Sequence, residues 1–202
     1  MGTTAGLSFI DEYHRIETPI LLTNTLSVGT VYEGIVQYMV DHCFEGQSRI
    51  PWFNPVVGET SDAGLNDIGG LHVVRPEHAV KAIQIAATGP VLEGSVGGGT
   101  AMSALGWKGG IGTSSRIVEV EGESATVGIL VQANFGGVLT VSGVRMHDLE
   151  ADVEDERGAP PSRSSMRQTC PCRDLNWIVF PREQCPGWHA PDPTEVTAAV
   201  TM

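Results

Sequence analysis

Positive charge is scarce in this chain: 12 lysines and arginines face 24 aspartates and glutamates, a formal net charge of −12. No basic face can offset that excess, which argues against a nucleic-acid partner. Long apolar runs are missing too. No stretch approaches the roughly 18 residues that mark a membrane-spanning helix, so no membrane partner is expected. The opening MGTTAGLSFIDEYHRIE has no basic start followed by an apolar stretch. It does not read as a signal peptide, and a cytoplasmic location is expected. Several chemical signatures are absent as well. There is no HExxH, no GxSxG elbow and no Walker loop, and Gly94, Gly97 and Gly99 do not form a dinucleotide fingerprint. Cys170, Cys172 and Cys185 with His189 hold the elements of a zinc site, but their CxC spacing is not the usual CxxC. Neither a metal nor a cofactor is expected.

What is present suits one domain with a substantial core, since the chain has 202 residues of which 41% are hydrophobic. Residues 19–23 form a short apolar run, a buried strand. Asn24, Thr25 and Ser27 follow as N-cap candidates. Val28, Val31, Ile35, Val36, Met39 and Val40 then recur at helical spacing through about His42. Pro76 opens a second helix through Ala87, because proline costs nothing in a first turn. Residues 117–120, 126–133 and 139–144 read as strands. The almost wholly apolar VGILVQA run predicts a central strand covered on both faces. The fold class is therefore α/β or α+β, in layers.

Composition changes abruptly near the end. Residues 158–202 hold seven of the 12 prolines and three of the four cysteines, but two of the 25 glycines. Eight glycines fall instead within residues 94–116, GSVGGGTAMSALGWKGGIGTSSR, where hydroxyls, Trp107 and Lys108 interrupt them. That pattern is a chain folded tightly around something, because glycine admits close backbone approach. Asn134 ends the 126–133 strand beside a glycine turn, where a side-chain amide suits an oxyanion donor. On residue type alone, an asparagine capping its own turn is the commoner reading. Glu59, Ser61 and Asp62 with Asn66 and Asp67 form a polar cluster, which reads first as a solvated loop. Lys108 can stabilise negative charge, although a lone lysine is usually a surface residue.

The segments ETPILLTNT (17–25), LNDI (65–68), EGSVGGGT (93–100), KGGIGTSSR (108–116) and VQANFG (131–136) together resemble the P1, or DmpA-type, peptidases, in the family's order and at about its spacing. This family comprises the L-aminopeptidase/D-esterases and β-peptidyl aminopeptidases. The resemblance implies an αββα sandwich, of the type shared with ornithine acetyltransferase. It implies self-cleavage before a serine that becomes an N-terminal nucleophile and uses its own amine as base. The implied reaction is metal-free removal of N-terminal residues from small peptides, amides or esters, by a homo-oligomer. It places Asn134 in the oxyanion hole and reverses the odds given above. Ser61, Asn66, Gly97, Gly98, Gly99 and Lys108 become residues that line the site.

The departures are specific. Ser61 stands where the family has a tyrosine that assists the oxyanion hole. The family's further N-terminal strands, its nucleophilic serine and its Ala-Thr-Asp-x-Pro-Leu and Ala-Arg-Thr-Gly segments are not read in this sequence, so the sandwich is expected to be incomplete at both ends. Back-translating residues 166–172 and reading two bases later permits Ala-Thr-Asp-x-Pro-Leu; residues 188–202 permit Ala-Arg-Thr-Gly and then a glycine-rich Asn-Gly-Ser-Gly-Asp loop. Residues 1–150 are therefore expected to be a partial peptidase domain. Residues 151–202 are expected to be an out-of-frame, poorly packed tail whose cysteines Cys170, Cys172 and Cys185 support neither a disulfide nor a zinc reading. The alternatives to an active aminopeptidase are an inactive fragment without its nucleophile and an ornithine acetyltransferase-like acyltransferase.

Overall fold

A computed structural model of the 202-residue chain describes residues 3–68, 73–87, 89–120, 122–146 and 200–201. A short helix α1 (Leu7–Tyr13) leads into strand β1 (Ile20–Asn24). The Asn24 side chain accepts the Ser27 N–H at 3.0 Å, which caps the 3-10 turn Thr25–Ser27. Helix α2 (Val28–Tyr38) follows and widens into a π turn at Met39–Cys43. Its buried stripe Val28, Val31, Ile35 and Met39 is the one that the periodicity predicts.

Strand β2 (Val56–Thr60) was not signalled by the sequence, because only its first two residues are apolar and no alternation develops. It pairs parallel with β1 in a register that sets Ile20 opposite Val56 and Asn24 opposite Thr60, so both strands finish level. Helix α3 (Pro76–Gln84) begins at its proline as expected and stops short of Ala87. The His78 ring nitrogen Nδ1 accepts the Arg75 N–H at 3.1 Å at its start. Gly34 lets α3 rest directly on α2, since a Cβ there would come 2.5 Å from Pro76 O and 2.6 Å from the Ala79 Cβ.

The glycine-rich stretch contributes a 3-10 turn (Gly97–Ala101) and a small hairpin of β3 (Ser103–Ala104) and β4 (Trp107–Lys108). Two ten-residue strands come next, β5 (Ile111–Val120) and β6 (Glu123–Gln132), antiparallel along their whole length. Gly122, at φ 86°, turns the chain between them. The single strand expected over residues 139–144 is instead a tight hairpin of β7 (Thr140–Val141) and β8 (Val144–Arg145). Ser142 and Gly143 both take positive φ, which is the geometry of a two-residue hairpin turn.

Adjacent residues of β1 face opposite layers. Leu21, 1% exposed, joins Val31, Ile35, Val57, Ala79 and Ile83 in a core between the sheet and the helices. Leu22 packs the other way, against Ile111 and Leu130 of the β5–β6 hairpin. The described residues thus stack as helices, sheet and second sheet. Burying each large aliphatic side chain in these two cores contributes about 1.5–3 kcal/mol. The prediction that β6 is covered on both faces fails at Val127 and Val131, which are 44% and 38% exposed. Inward Leu130 is buried and its outward neighbours are not, because the described layers pack on one side of the hairpin.

Cys43 is buried in the first core and is disulfide-bonded. The expectation of no disulfide concerns Cys170, Cys172 and Cys185, which lie outside the described residues. The discounted zinc elements Cys170, Cys172, Cys185 and His189 lie outside them, as does the tail from 151, apart from β9 (Val200–Thr201). That pair adds in parallel to β1 at Leu21 and Leu22.

Candidate active site

The strand ends bring the site together. β2 closes with Thr60 and Ser61 follows it, while β6 closes with Gln132 and Asn134 comes two residues later. The Asn134 amide meets the Ser61 backbone twice: Oδ1 accepts the Ser61 N–H at 2.7 Å, and Nδ2 donates to Ser61 O at 2.9 Å. The second Nδ2 hydrogen goes to Ser103 O at 3.1 Å. An N–H facing one side of the amide and two carbonyls facing the other leave no ambiguity about which end is oxygen. Turn capping, the commoner sequence reading, is not what Asn134 does here, since its partners are 73 and 31 residues away.

Next to it, Gln132 Nε2 donates to Thr60 Oγ1, joining the same two strand ends a second time. Its Oε1 is buried without a partner among the described residues. The Gln132 amide lies on Gly98, where a Cβ would come 2.8 Å from Nε2 and 2.9 Å from Oε1. Neither Gln132 nor Thr60 was singled out as a site residue by the sequence. The usable signal was position alone, since each is the last residue of its strand.

The glycines act as close backbone contacts. Gly94 and Ile111 exchange both main-chain hydrogen bonds, at 2.8 and 2.9 Å. Gly99 and Gly110 sit against Gly94 so closely that any side chain on either would overlap the Gly94 carbonyl. Gly97 takes φ 49° at the start of the turn. Lys108 closes the arrangement: its ammonium donates to Gly99 O at 2.7 Å and to Gly109 O at 2.6 Å. Of the expected site residues, Asn134 and Ser61 are therefore in direct contact, and Gly98, Gly99 and Lys108 are linked to them through Gln132 and Ser103.

Asn66 belongs to a separate arrangement. Its Nδ2 donates to Asp62 Oδ2 at 2.9 Å, and its own N–H donates to Asp62 O at 2.9 Å. Asp62 is 7% exposed, with Oδ1 unpartnered among the described residues, so the solvated-loop reading fails there. Glu59 accepts the Thr3 N–H at 3.2 Å and the Thr25 hydroxyl. On the far side of the glycine stretch, Glu93 accepts the hydroxyl and the N–H of Thr113, which hold its carboxyl below the ordinary glutamate range. Among the described residues, no group of three or more histidine, cysteine, aspartate or glutamate side chains is placed to hold a metal. No helix among them is long and apolar enough to cross a membrane.

Comparison with known proteins bears on this geometry. The model of peptidase family S58 matches residues 1–172. The beta-peptidyl aminopeptidase BapA of Sphingosinicella microcystinivorans is 51% identical over 135 residues, and that of Sphingosinicella xenopeptidilytica is 42% identical over 147. These matches cover 67% and 72% of this chain but 33% and 36% of the relatives, so the chain spans about a third of their length. The L-aminopeptidase D-Ala-esterase/amidase of Ochrobactrum anthropi, whose structure is a variant of the Ntn hydrolase fold, superposes with a TM-score of 0.67 at 41% identity. That match covers 75% of this chain and 42% of the other. A Burkholderia sp. beta-aminopeptidase gives 0.65 at 43% identity, covering 76% and 43%. The expected mixed αβ sandwich of this fold type is thus borne out at high sequence identity.

Proposed function

The chain belongs to peptidase family S58, and from that premise we propose that it carries the oxyanion-binding part of a self-processing, N-terminal-nucleophile aminopeptidase. The substrates are small peptides, amides or esters, from which the N-terminal residue is removed. One observation supports this reading more than any other. The Asn134 amide stands two residues beyond β6, with its oxygen and nitrogen ends fixed by the main chain of Ser61, just after β2, and of Ser103 in the β3–β4 hairpin. An amide whose place is fixed by main chain is the kind of donor that an oxyanion hole aims at developing charge, once one of its Nδ2 hydrogens is released. Ser61, Gly97, Gly98, Gly99 and Lys108 frame it in this proposal, and Asn66 fixes the loop that follows Ser61 through Asp62.

The same geometry favours a second reading for the polypeptide by itself. Both Nδ2 hydrogens of Asn134 are already given to carbonyls, so one must leave Ser61 O or Ser103 O before an oxyanion can be bound. No serine of residues 94–116 stands in the family's nucleophile context. The chain as it stands is then an inactive form of the enzyme. A domain boundary near residue 150, an out-of-frame segment after it, a cytoplasmic location and assembly of copies belong to the same proposal.

Intact-mass measurement of the purified chain, combined with hydrolysis of an aminoacyl anilide and an aminoacyl ester, separates the two readings. Two processed fragments with turnover establish the aminopeptidase. A single unprocessed mass without turnover establishes the inactive form. Sequencing the coding locus tests the frame: if the alternative frame lacks the Ala-Thr-Asp and Ala-Arg-Thr-Gly segments, the out-of-frame account fails.

A further inference from the structure

Lys108 is exposed, yet two of its three ammonium hydrogens are spent on main-chain carbonyls, Gly99 O and Gly109 O. Exposed lysines ordinarily keep the charged head in water. The two carbonyls belong to different pieces of backbone, since Gly99 lies in the 97–101 turn and Gly109 directly follows β4. The side chain therefore fastens the β3–β4 hairpin onto the glycine turn.

That hairpin in turn brackets Asn134. Ser103, the cross-strand partner of Lys108, supplies the carbonyl that takes one Nδ2 hydrogen. Leu105 N–H donates to Phe135 O at 2.7 Å, on one side of Asn134. Ala133 N–H donates to Gly110 O at 3.2 Å, on the other side. Gly109 leaves room for this contact, because a Cβ there would come 2.8 Å from Ala133 O. The residue before Asn134, the residue after it and its own amide are all tied to residues 103–110. Nothing but this segment connects Lys108 to Asn134 in the contacts described above.

We propose that Lys108 is a positioning residue for Asn134, acting through the β3–β4 hairpin and not by placing its own charge on a substrate. The ammonium sets where Ser103 O and the 105–110 backbone stand, and these set the direction of the Asn134 amide. The purpose of that direction rests on the aminopeptidase reading; the mechanical link does not, and it holds in an inactive chain as well.

Hydrogen exchange followed by NMR on the full chain tests the link without requiring activity. Lys108→Met removes both carbonyl contacts, and Lys108→Arg keeps donors able to reach them. In Lys108→Met, the Asn134 Nδ2 hydrogens and the Leu105 N–H are expected to exchange about tenfold faster, the effect of losing one typical hydrogen bond. The Val57 N–H, in the β1–β2 region, is expected to keep its rate, and Lys108→Arg is expected to restore Asn134 to within about twofold of the starting chain. Unchanged Asn134 exchange in Lys108→Met overturns the proposal. Equal acceleration at Asn134 and Val57 also overturns it, because the effect is then general destabilisation. Failure of Lys108→Met to fold counts against it in the same way, since a local fastening leaves the β1–β2 core intact. Failure of the aminopeptidase reading would be seen separately, as absence of turnover in a chain whose Asn134 exchange still follows Lys108.

Discussion

Asn134 and Ser61 are joined by two hydrogen bonds of 2.7 and 2.9 Å, in which the side-chain amide of one pairs with the backbone of the other as a strand residue would. The pair ties the end of the β5–β6 hairpin to the end of the parallel β1–β2 sheet. An amide can do this because it carries a donor and an acceptor side by side; a carboxylate of the same shape carries only acceptors.

Asn134→Asp is therefore expected to be worse for stability than Asn134→Ala. Alanine forfeits the bonds of a half-buried group, a loss of about 1 kcal/mol, whereas aspartate also sets an oxygen against Ser61 O and Ser103 O and costs roughly twice that. Urea unfolding of both variants checks the order. Equal stability of the aspartate variant and the starting chain would remove Asn134 from the structural role.

Alanine at Gly98 and at Gly99 separates two kinds of crowding. At Gly98 the new methyl meets the end of the Gln132 side chain, which can move at the expense of its bond to Thr60, a cost of about 1 kcal/mol. At Gly99 it meets the Gly94 carbonyl, with the Ile111 nitrogen 2.9 Å away, and backbone cannot give way so easily. Gly99→Ala is expected to cost about 3 kcal/mol. Thermal unfolding that ranks the two variants the other way round would contradict this reading of the turn.

Gly34→Ala sets helix propensity against packing. Alanine in a helix interior gains about 1 kcal/mol over glycine. The added methyl collides with Pro76 O and the Ala79 Cβ and pushes α3 off α2, at a cost of about 1–3 kcal/mol. Net destabilisation is expected, and a more stable variant would show that α2 and α3 are less tightly docked than the structure has them.

Glu93 gives a pH signature. Its folded pKa is lowered by the Thr113 hydroxyl and then by the Thr113 N–H. A depressed carboxyl contributes stability that is present above its unfolded value and lost as pH falls through the folded one. Stability is expected to fall with acid just below the ordinary glutamate range, with that part of the slope absent in Glu93→Gln. The carboxyl carbon of Glu93, followed by NMR, is expected to titrate below the ordinary glutamate range.

Local rules were legible wherever one side chain or one period decides the outcome. The stripe from Val28 to Met39, the proline start of α3 and the Asn24 cap all follow from spacing and capping chemistry. β2 was not legible, since two valines before Gly58 carry no period, and its pairing with β1 is a long-range event. The hairpin at Ser142 and Gly143 was hidden because Leu139, Thr140 and Val141 alternate as a strand does right up to the turn. The burial of Asp62 was hidden as well: a carboxylate in a polar stretch reads as solvated until Asn66 is seen to hold it.

By itself the sequence determined the scarcity of positive charge, the helical face that builds the first core and the ordered motifs of a peptidase family. These are properties of residues close together in the chain. Tertiary structure alone decided that Asn134 pairs with Ser61, that Gln132 bridges to Thr60 and lies on Gly98, and that Lys108 fastens the hairpin around them. Asn134 lies 73 residues from Ser61, and Gln132 lies 72 from Thr60. At that separation, only the stacking of the two sheets brings a donor to its acceptor.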